Sequence, residues 1–137
     1  MIMKQFTLYL KNRPGELSRI TRRLATARVN IEGISVSSSV DIALVQIVVD
    51  DAAVTRKLLR RAKIPFVTQD VVLMPLRHEP GALAQVAERL AKMGININYV
   101  YATGCDGAGR CLTVISAPDV AQVEKACRSL AVRRRAV

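Results

Sequence analysis

Between Gln5 and Lys11 the chain alternates, with Phe6, Leu8 and Leu10 on one side and Gln5, Thr7, Tyr9 and Lys11 on the other. That two-residue period predicts a half-buried strand. From about Pro14 the period changes. Leu17, Ile20, Leu24 and Ala27 recur at spacings of three, four and three, which places them on one face of a helix and turns Arg19, Arg22, Arg23 and Thr26 away. Pro14 suits the first helical position, where its missing N–H removes no hydrogen bond. A β-branched run follows from Ile31 to Val36, then a Ser-rich turn and a strand over Ile42–Val49. Asp50 and Asp51 offer N-caps to a second helix that carries Val54, Leu58 and Ala62 inward. Pro65 ends that helix, and a last strand begins at Phe66.

The pattern then starts again. Residues 76–102 echo residues 10–36, with Leu10/Leu76, Pro14/Pro80, Gly15/Gly81, Leu17/Leu83, Leu24/Leu90, Asn30/Asn96 and Ile31/Ile97 identical at one offset. Val72, Met74 and Leu76 predict a strand. Leu83, Val86, Leu90 and Met93 predict a helix with the same three-four-three spacing. Ile95–Ala102 and Cys111–Ile115 read as a hairpin, Val120, Val123 and Cys127 as the inner face of a helix, and residues 130–137 as a short, basic closing strand. A repeat of this length means two copies of one small unit and a pseudo-symmetric relation between them. Each copy reads β-α-β-β-α-β, the ferredoxin-like α+β arrangement of an antiparallel sheet with both helices on one face. The copies cover residues 1–69 and 70–137. Pro75 sits awkwardly, because a central strand ordinarily has no place for proline.

Units this small bury too little surface to be stable alone, so they are expected to pack on each other and to dimerise. Half the residues are hydrophobic with no Trp, which makes the core aliphatic. The opening residues do not resemble a signal peptide and no stretch is long enough to cross a membrane, so a cytoplasmic location is expected, with no membrane partner. Cys105, Cys111 and Cys127 form no C-x-x-C pair and the chain has a single histidine. Reduced thiols are expected, although Cys105 and Cys111 flank a hairpin turn; no metal and no cofactor is expected. Net charge is +10, from 21 basic and 11 acidic residues, and 12 of the basic groups fall in residues 1–68. Such an excess suits an acidic partner or a solvated helix face.

Chemistry concentrates at the strand-to-helix turn, Lys11-Asn12-Arg13-Pro14-Gly15-Glu16-Leu17 in the first copy and Arg77-His78-Glu79-Pro80-Gly81-Ala82-Leu83 in the second. The first amides of a helix lack intrahelical acceptors, and the helix dipole favours negative charge there. The amides of Gly15, Glu16, Leu17, Gly81, Ala82 and Leu83 are therefore candidates for holding a carboxylate, with glycine leaving room for it. The plainer alternative is that Pro-Gly only makes a good helix start. Asn30 and Asn96 can offer a side-chain oxygen to an ammonium group, or can serve as turn residues that tolerate unusual backbone angles. His78 is either a ligand contact or an ordinary loop residue.

The N-R-P-G-x-L turn, followed about fifteen residues later by V-N-I, resembles the ACT domain, and its P-G-x-L and N-I elements occur twice at one offset. The resemblance spans the whole chain as a tandem pair. It implies a ferredoxin-like regulatory module that binds amino acids between paired copies. Carried over by motif, it implies Asn12 and Gly15 facing Asn96 and Ile97, and His78 and Gly81 facing Asn30 and Ile31, with Lys11 beside the first site. His78 and Glu79 replace Asn12 and Arg13, so the two sites are not equivalent. A non-catalytic sensor of a small amino acid is the expectation. A regulatory subunit docking on an enzyme of amino-acid metabolism is the alternative. The sequence offers no catalytic triad, phosphate loop or metal quartet, so an enzyme is not expected. RNA binding by a basic ferredoxin-like protein is the remaining rival, but Ile42–Val49 and Cys111–Ile115 carry no aromatic residue for base stacking.

Overall fold

A computed structural model describes residues 1–132 of the chain. It has six strands and four helices among these residues, in the order β1 (Ile2–Lys11), α1 (Glu16–Thr26), β2 (Ile31–Ser38), β3 (Ile42–Val49), α2 (Ala52–Arg61), β4 (Phe66–Arg77), α3 (Ala82–Lys92), β5 (Tyr99–Cys105), β6 (Arg110–Ser116) and α4 (Val120–Cys127). The chain folds as two compact units. The first comprises Lys4–Gln69, and the second comprises Met1–Met3 with the residues from Asp70 onward. Both are the antiparallel α+β fold of the sequence pattern.

In the first unit β3 lies between β2 and β1. Pairing runs from Gln5↔Val48 to Lys11↔Ile42 on one side and from Ile31↔Val49 to Ser38↔Ala43 on the other, with a bulge between Ile31 and Gly33. The alternating side chains Phe6, Leu8 and Leu10 of β1 and Val45, Ile47 and Val49 of β3 form the core with Ile20 and Leu24 of α1 and Leu59 of α2. The other sheet face is not open throughout: Gln5, Thr7 and Val48 are buried, whereas Tyr9 and Ile42 meet solvent. Asp51 caps α2 by accepting from the Val54 N–H at 3.0 Å.

The second unit places β6 between β4 and β5, paired from Val72↔Ile115 to Arg77↔Arg110 and from Tyr99↔Ser116 to Cys105↔Cys111. Val72, Met74 and Leu76 pack against Val86 and Leu90 of α3 and Val123 and Cys127 of α4. Helix α3 repeats α1 over the same eleven residues, but Asp119 caps α4 where the first-unit cap is Asp51, two residues beyond the 66-residue offset. The extra length falls in the β5–β6 hairpin, where the pairing shifts between Ala102 and Cys105.

Several expectations need correction. The expected closing strand over residues 130–137 is not one where it can be followed: Leu130–Val132 form turn and coil, and residues 133–137 lie outside the described residues. The residues beside β4 are instead those at the start of β1, whose Met1 carbonyl accepts from the Leu73 N–H at 2.8 Å. Pro75 is tolerated because its carbonyl turns away from β6 and accepts from the Val132 N–H at 2.8 Å. No ladder bond to β6 needs the amide that proline lacks. The helix faces also differ. Glu16, Ile20 and Leu24 are the buried positions of α1, and Thr55 and Leu59 those of α2, while Leu17, Leu83 and Met93 remain 41%, 46% and 52% exposed. Leu17 and Leu83 belong to the first helical turn, so each glycine corner carries an exposed apolar side chain.

Candidate functional site

The corner after β1 is held by backbone and side chain together. The Asn12 N–H donates to the Asp41 carbonyl at 2.9 Å, and its side-chain amide donates to the Ser39 carbonyl at 3.0 Å, tying the turn to the β2–β3 hairpin. Gly15 then adopts φ 90°, ψ −16°, a left-handed conformation open to glycine at little cost, and α1 begins at the next residue. The Glu16 carboxylate stands in the first turn, where the helix dipole favours it. It accepts from Arg13 Nε at 2.8 Å and Arg19 Nη2 at 3.0 Å. Those two guanidinium groups, Arg19 first, hold its pKa below the usual carboxylate range. An open cavity of about 700 Å³ lies here, lined by the cations Lys11, Arg13, Arg19 and Lys63 and the anions Glu16 and Asp41. Both signs of charge are present, with cations in excess.

The corner after β4 has the same backbone and different chemistry. Gly81 has φ 89°, ψ −12°, and the His78 N–H donates to the Gly109 carbonyl at 2.8 Å. Ala82 stands where Glu16 does in the first unit, so no carboxylate occupies the helix start. The Ala82 N–H, expected to be available to a ligand, donates instead to the Glu79 carbonyl at 3.3 Å. A cavity of about 430 Å³ opens at this corner between Arg77, His78, Leu83, Tyr101 and the sulfurs of Cys105 and Cys111. Burial, reinforced by Tyr99, pushes the Tyr101 phenol upward in pKa. Cys105 and Cys111 are joined as a disulfide across β5 and β6, with Cα atoms 4.0 Å apart. This corrects the expectation of three reduced thiols. Cys127 alone is free among the described residues, and it is buried in the core. One ring nitrogen of His78 lies within 4.8 Å of both sulfurs. Sequence spacing hid this cluster. The β4–β6 pairing of Leu76 with Cys111 brings the end of β4 to the hairpin tip.

Asn30 and Asn96 lie at the opposite end of their own units. In the first unit Ile31 pairs with Val49, beside Gln5, whereas the glycine turn follows Lys11. Six residues of strand separate the two levels, about 20 Å. In the second unit Asn98 donates to the Ser116 carbonyl at 2.8 Å, next to Val72, while the turn follows Arg77. No single unit brings its glycine turn and its asparagine together. Neither asparagine has a positive φ; that conformation belongs to Arg28, at 58°, and Gly94, at 69°. The turn role considered for Asn30 and Asn96 is thus filled two residues earlier. Asn30 Nδ2 reaches Glu32 Oε1 at 3.4 Å, Asn96 Nδ2 reaches Asn98 Oδ1 at 3.5 Å, and both side chains are exposed. Ile31 and Ile97 are half-buried and pack against the cores of their own units.

A third cavity, about 460 Å³, runs between α1 and α2. Arg22, Arg23, Lys57 and Arg61 surround a floor of Val54 and Leu58, with no acidic residue in its lining. Among the described residues no helix is long and apolar enough to cross a membrane.

Comparison with known proteins places this architecture. The chain aligns over its length with a crystal structure of protein BT0572 from Bacteroides thetaiotaomicron, at 25% identity and a TM-score of 0.85, covering 94% of this chain and 88% of that one. The ligand-free regulatory subunit of aspartate kinase from Thermus thermophilus matches at 16% identity and a TM-score of 0.68, covering 95% of each chain. Aspartate kinase from Synechocystis matches at 17% identity and a TM-score of 0.62, with 98% of this chain spanning 27% of that enzyme. No curated protein sequence matches. The model of the ACT domain pair matches residues 1–125, and the chain therefore belongs to that family of regulatory modules.

Proposed function

We propose that this ACT domain pair is a non-catalytic sensor that binds a small amino acid between the glycine turn of one copy and the asparagine junction of another. The observation that carries the reading is the repeated cavity. Both corners have one, and both are lined at the equivalent positions Leu10/Leu76, Lys11/Arg77, Arg13/Glu79 and Glu16/Ala82. Their volumes fall in the range of small-molecule clefts. The contacting copy belongs either to the same chain or to a second chain in a homodimer. In the first corner Lys11 and Lys63 attract a carboxylate, and Glu16 and Asp41 offer counter-charge to an ammonium group. Binding then favours one arrangement of the copies, and a partner reads that difference.

The partner in this reading is a client enzyme of amino-acid metabolism. The regulatory subunit of an aspartate kinase among the similar structures supports that choice. The setting is cytoplasmic. A nucleic-acid role is disfavoured, because β3 and β6 carry no aromatic residue, Phe6 of β1 is buried, and Tyr9 is left as the exposed aromatic of that strand.

The test is calorimetric titration and thermal shift of the full chain against the twenty amino acids. One or two should raise the melting temperature in a concentration-dependent way. Asn30→Ala and Asn96→Ala should each weaken that response without lowering the melting temperature of the ligand-free protein. No response to any amino acid at millimolar concentration, or a response untouched in the double variant, refutes the reading.

A further inference from the structure

The second corner also carries a cluster of metal-ligating side chains. His78 opens the turn after β4, while Cys105 and Cys111 close the β5–β6 hairpin, and one ring nitrogen of His78 and the two sulfurs all lie within 4.8 Å of one another. Three independent elements of structure hold them there. The Leu76↔Cys111 and Arg77↔Arg110 pairings set the height of the β6 cysteine beside the end of β4. The His78 N–H is fixed on the Gly109 carbonyl at 2.8 Å. Asp106 closes the hairpin tip, accepting from the backbone N–H groups of Ala108 at 2.9 Å and Arg110 at 3.0 Å and from Arg110 Nε at 2.6 Å. The cluster is open to solvent through the cavity between Arg77, Leu83 and Tyr101.

We infer that, when Cys105 and Cys111 are reduced, the two thiolates and the His78 imidazole form a site for Zn²⁺ or a similarly thiophilic divalent ion, and that oxidation to the disulfide expels the metal. Two sulfurs and one imidazole nitrogen are the ligand set of open zinc sites, which keep a fourth position for water or another ligand. Two thiolates on one tetrahedral Zn²⁺ stand about 3.8 Å apart, given Zn–S bonds of roughly 2.3 Å. Cysteines with Cα atoms 4.0 Å apart reach that spacing by side-chain rotation. Here the fourth position faces the cavity. Arg77, which lines that cavity, favours an anionic fourth ligand.

The exchange balances with a disulfide as the oxidant. The two metal-bound thiolates give up two electrons and form the Cys105–Cys111 bond. The oxidant RS–SR takes those electrons with two protons and leaves as two RSH molecules. Zn²⁺ departs with its charge unchanged. A dithiol reductant runs the sequence backwards and regenerates the site. The first corner cannot do this, because it has Asn12 in place of His78 and Gly33–Ser39 contains no cysteine. The inference does not depend on amino-acid binding.

The probe is Co²⁺ added to the full chain after phosphine reduction and removal of air. One equivalent per chain should give the ligand-field bands of tetrahedral cobalt and a thiolate charge-transfer band, both displaced by Zn²⁺. Oxidation with glutathione disulfide should abolish the bands and remove two titratable thiols, leaving Cys127. Cys105→Ser and Cys111→Ser should each abolish the charge-transfer signature seen in the parent, His78→Ala should weaken the ion by at least about tenfold, and Cys127→Ser should change nothing. Melting curves of the metal-free variants report whether they fold, and Cys127→Ser and His78→Ala keep the test decisive should a hairpin cysteine variant not fold. No charge-transfer band in the reduced chain overturns the inference. So does a band that survives Cys105→Ser, one lost in Cys127→Ser, or one unaffected by His78→Ala.

Discussion

Alanine at Gly15 is the sharpest test of the corner geometry, because the structure separates two roles that glycine could have. A Cβ built on Gly15 or Gly81 meets nothing within 4 Å, so space is not what demands glycine. The backbone does: φ is 90° at Gly15 and 89° at Gly81. Placing an L side chain in the left-handed region costs about 1–2 kcal/mol. Alanine also restricts the unfolded chain, which returns about 0.4–1 kcal/mol. The net expectation is a loss of roughly 1 kcal/mol for Gly15→Ala and the same for Gly81→Ala, a fall of about 2–6 °C in melting temperature for domains of this size. Gly104 supplies the control. It too has an open Cβ position, but it lacks a positive φ, so Gly104→Ala should be neutral or slightly stabilising. Urea unfolding of the three variants reads all of this in one assay. If Gly15→Ala matches Gly104→Ala within about 0.3 kcal/mol, the left-handed corner is wrong. The same argument rules out valine here as a probe of ligand binding, since a β-branched residue at this φ disturbs the fold itself.

Two further predictions bear on the helices and on the charge at the first corner. Leu24→Ala should destabilise by about 2–5 kcal/mol as a core truncation, while Leu17→Ala should stay within about 0.5 kcal/mol of the parent; equal losses in chemical denaturation would contradict the buried face of α1. Glu16 has a folded pKa below its unfolded one, so its pairing with Arg13 and Arg19 stabilises above the unfolded pKa, roughly 4.3, and that stabilisation fades as pH falls through the folded value. The melting-temperature gap between the parent and Glu16→Gln should accordingly be constant above about pH 5 and close on acidification, and a gap that persists unchanged at pH 2.5 would show that the ion pairs are not its source.

The fold was legible because its signals are local and doubled. The strand alternation at Phe6, Leu8 and Leu10, the switch to helical spacing after Pro14, and the Pro-Gly turns at one offset each name an element from a few residues of sequence. What escaped depends on register. Leu17 and Ile20 look alike in a three-four-three pattern, and only the seating of α1 on its sheet makes Glu16 rather than Leu17 the buried member of the first turn. The Cys105–His78 proximity depends on β4 pairing with β6 and on two extra residues in a hairpin, and no count along the chain contains either fact. The offset itself misled at the end of the chain. Past the hairpin the correspondence is no longer 66, so residues 130–137 could not be matched by simple addition to the closing strand of the first unit.

That slippage bears on how the two corners came to differ. Up to Ile31/Ile97 the copies keep one offset, and both retain the left-handed glycine and the eleven-residue helix that follows it. The backbone device for presenting a helix start is thus preserved in duplicate. The side chains around it have diverged in a single direction of chemistry. Glu16, Arg13 and Arg19 form a charged cage in the first corner, whereas Ala82 and Glu79 stand at the positions of Glu16 and Arg13 in the second, beside His78 and a cystine. A zwitterion finds compensating charges in the former; the latter offers a softer, nitrogen- and sulfur-lined wall. Two sites of equal affinity for one ligand are hard to reconcile with that contrast. A titration that requires two identical, independent sites per chain would therefore count against reading the corners as chemically distinct, however well the folds superimpose.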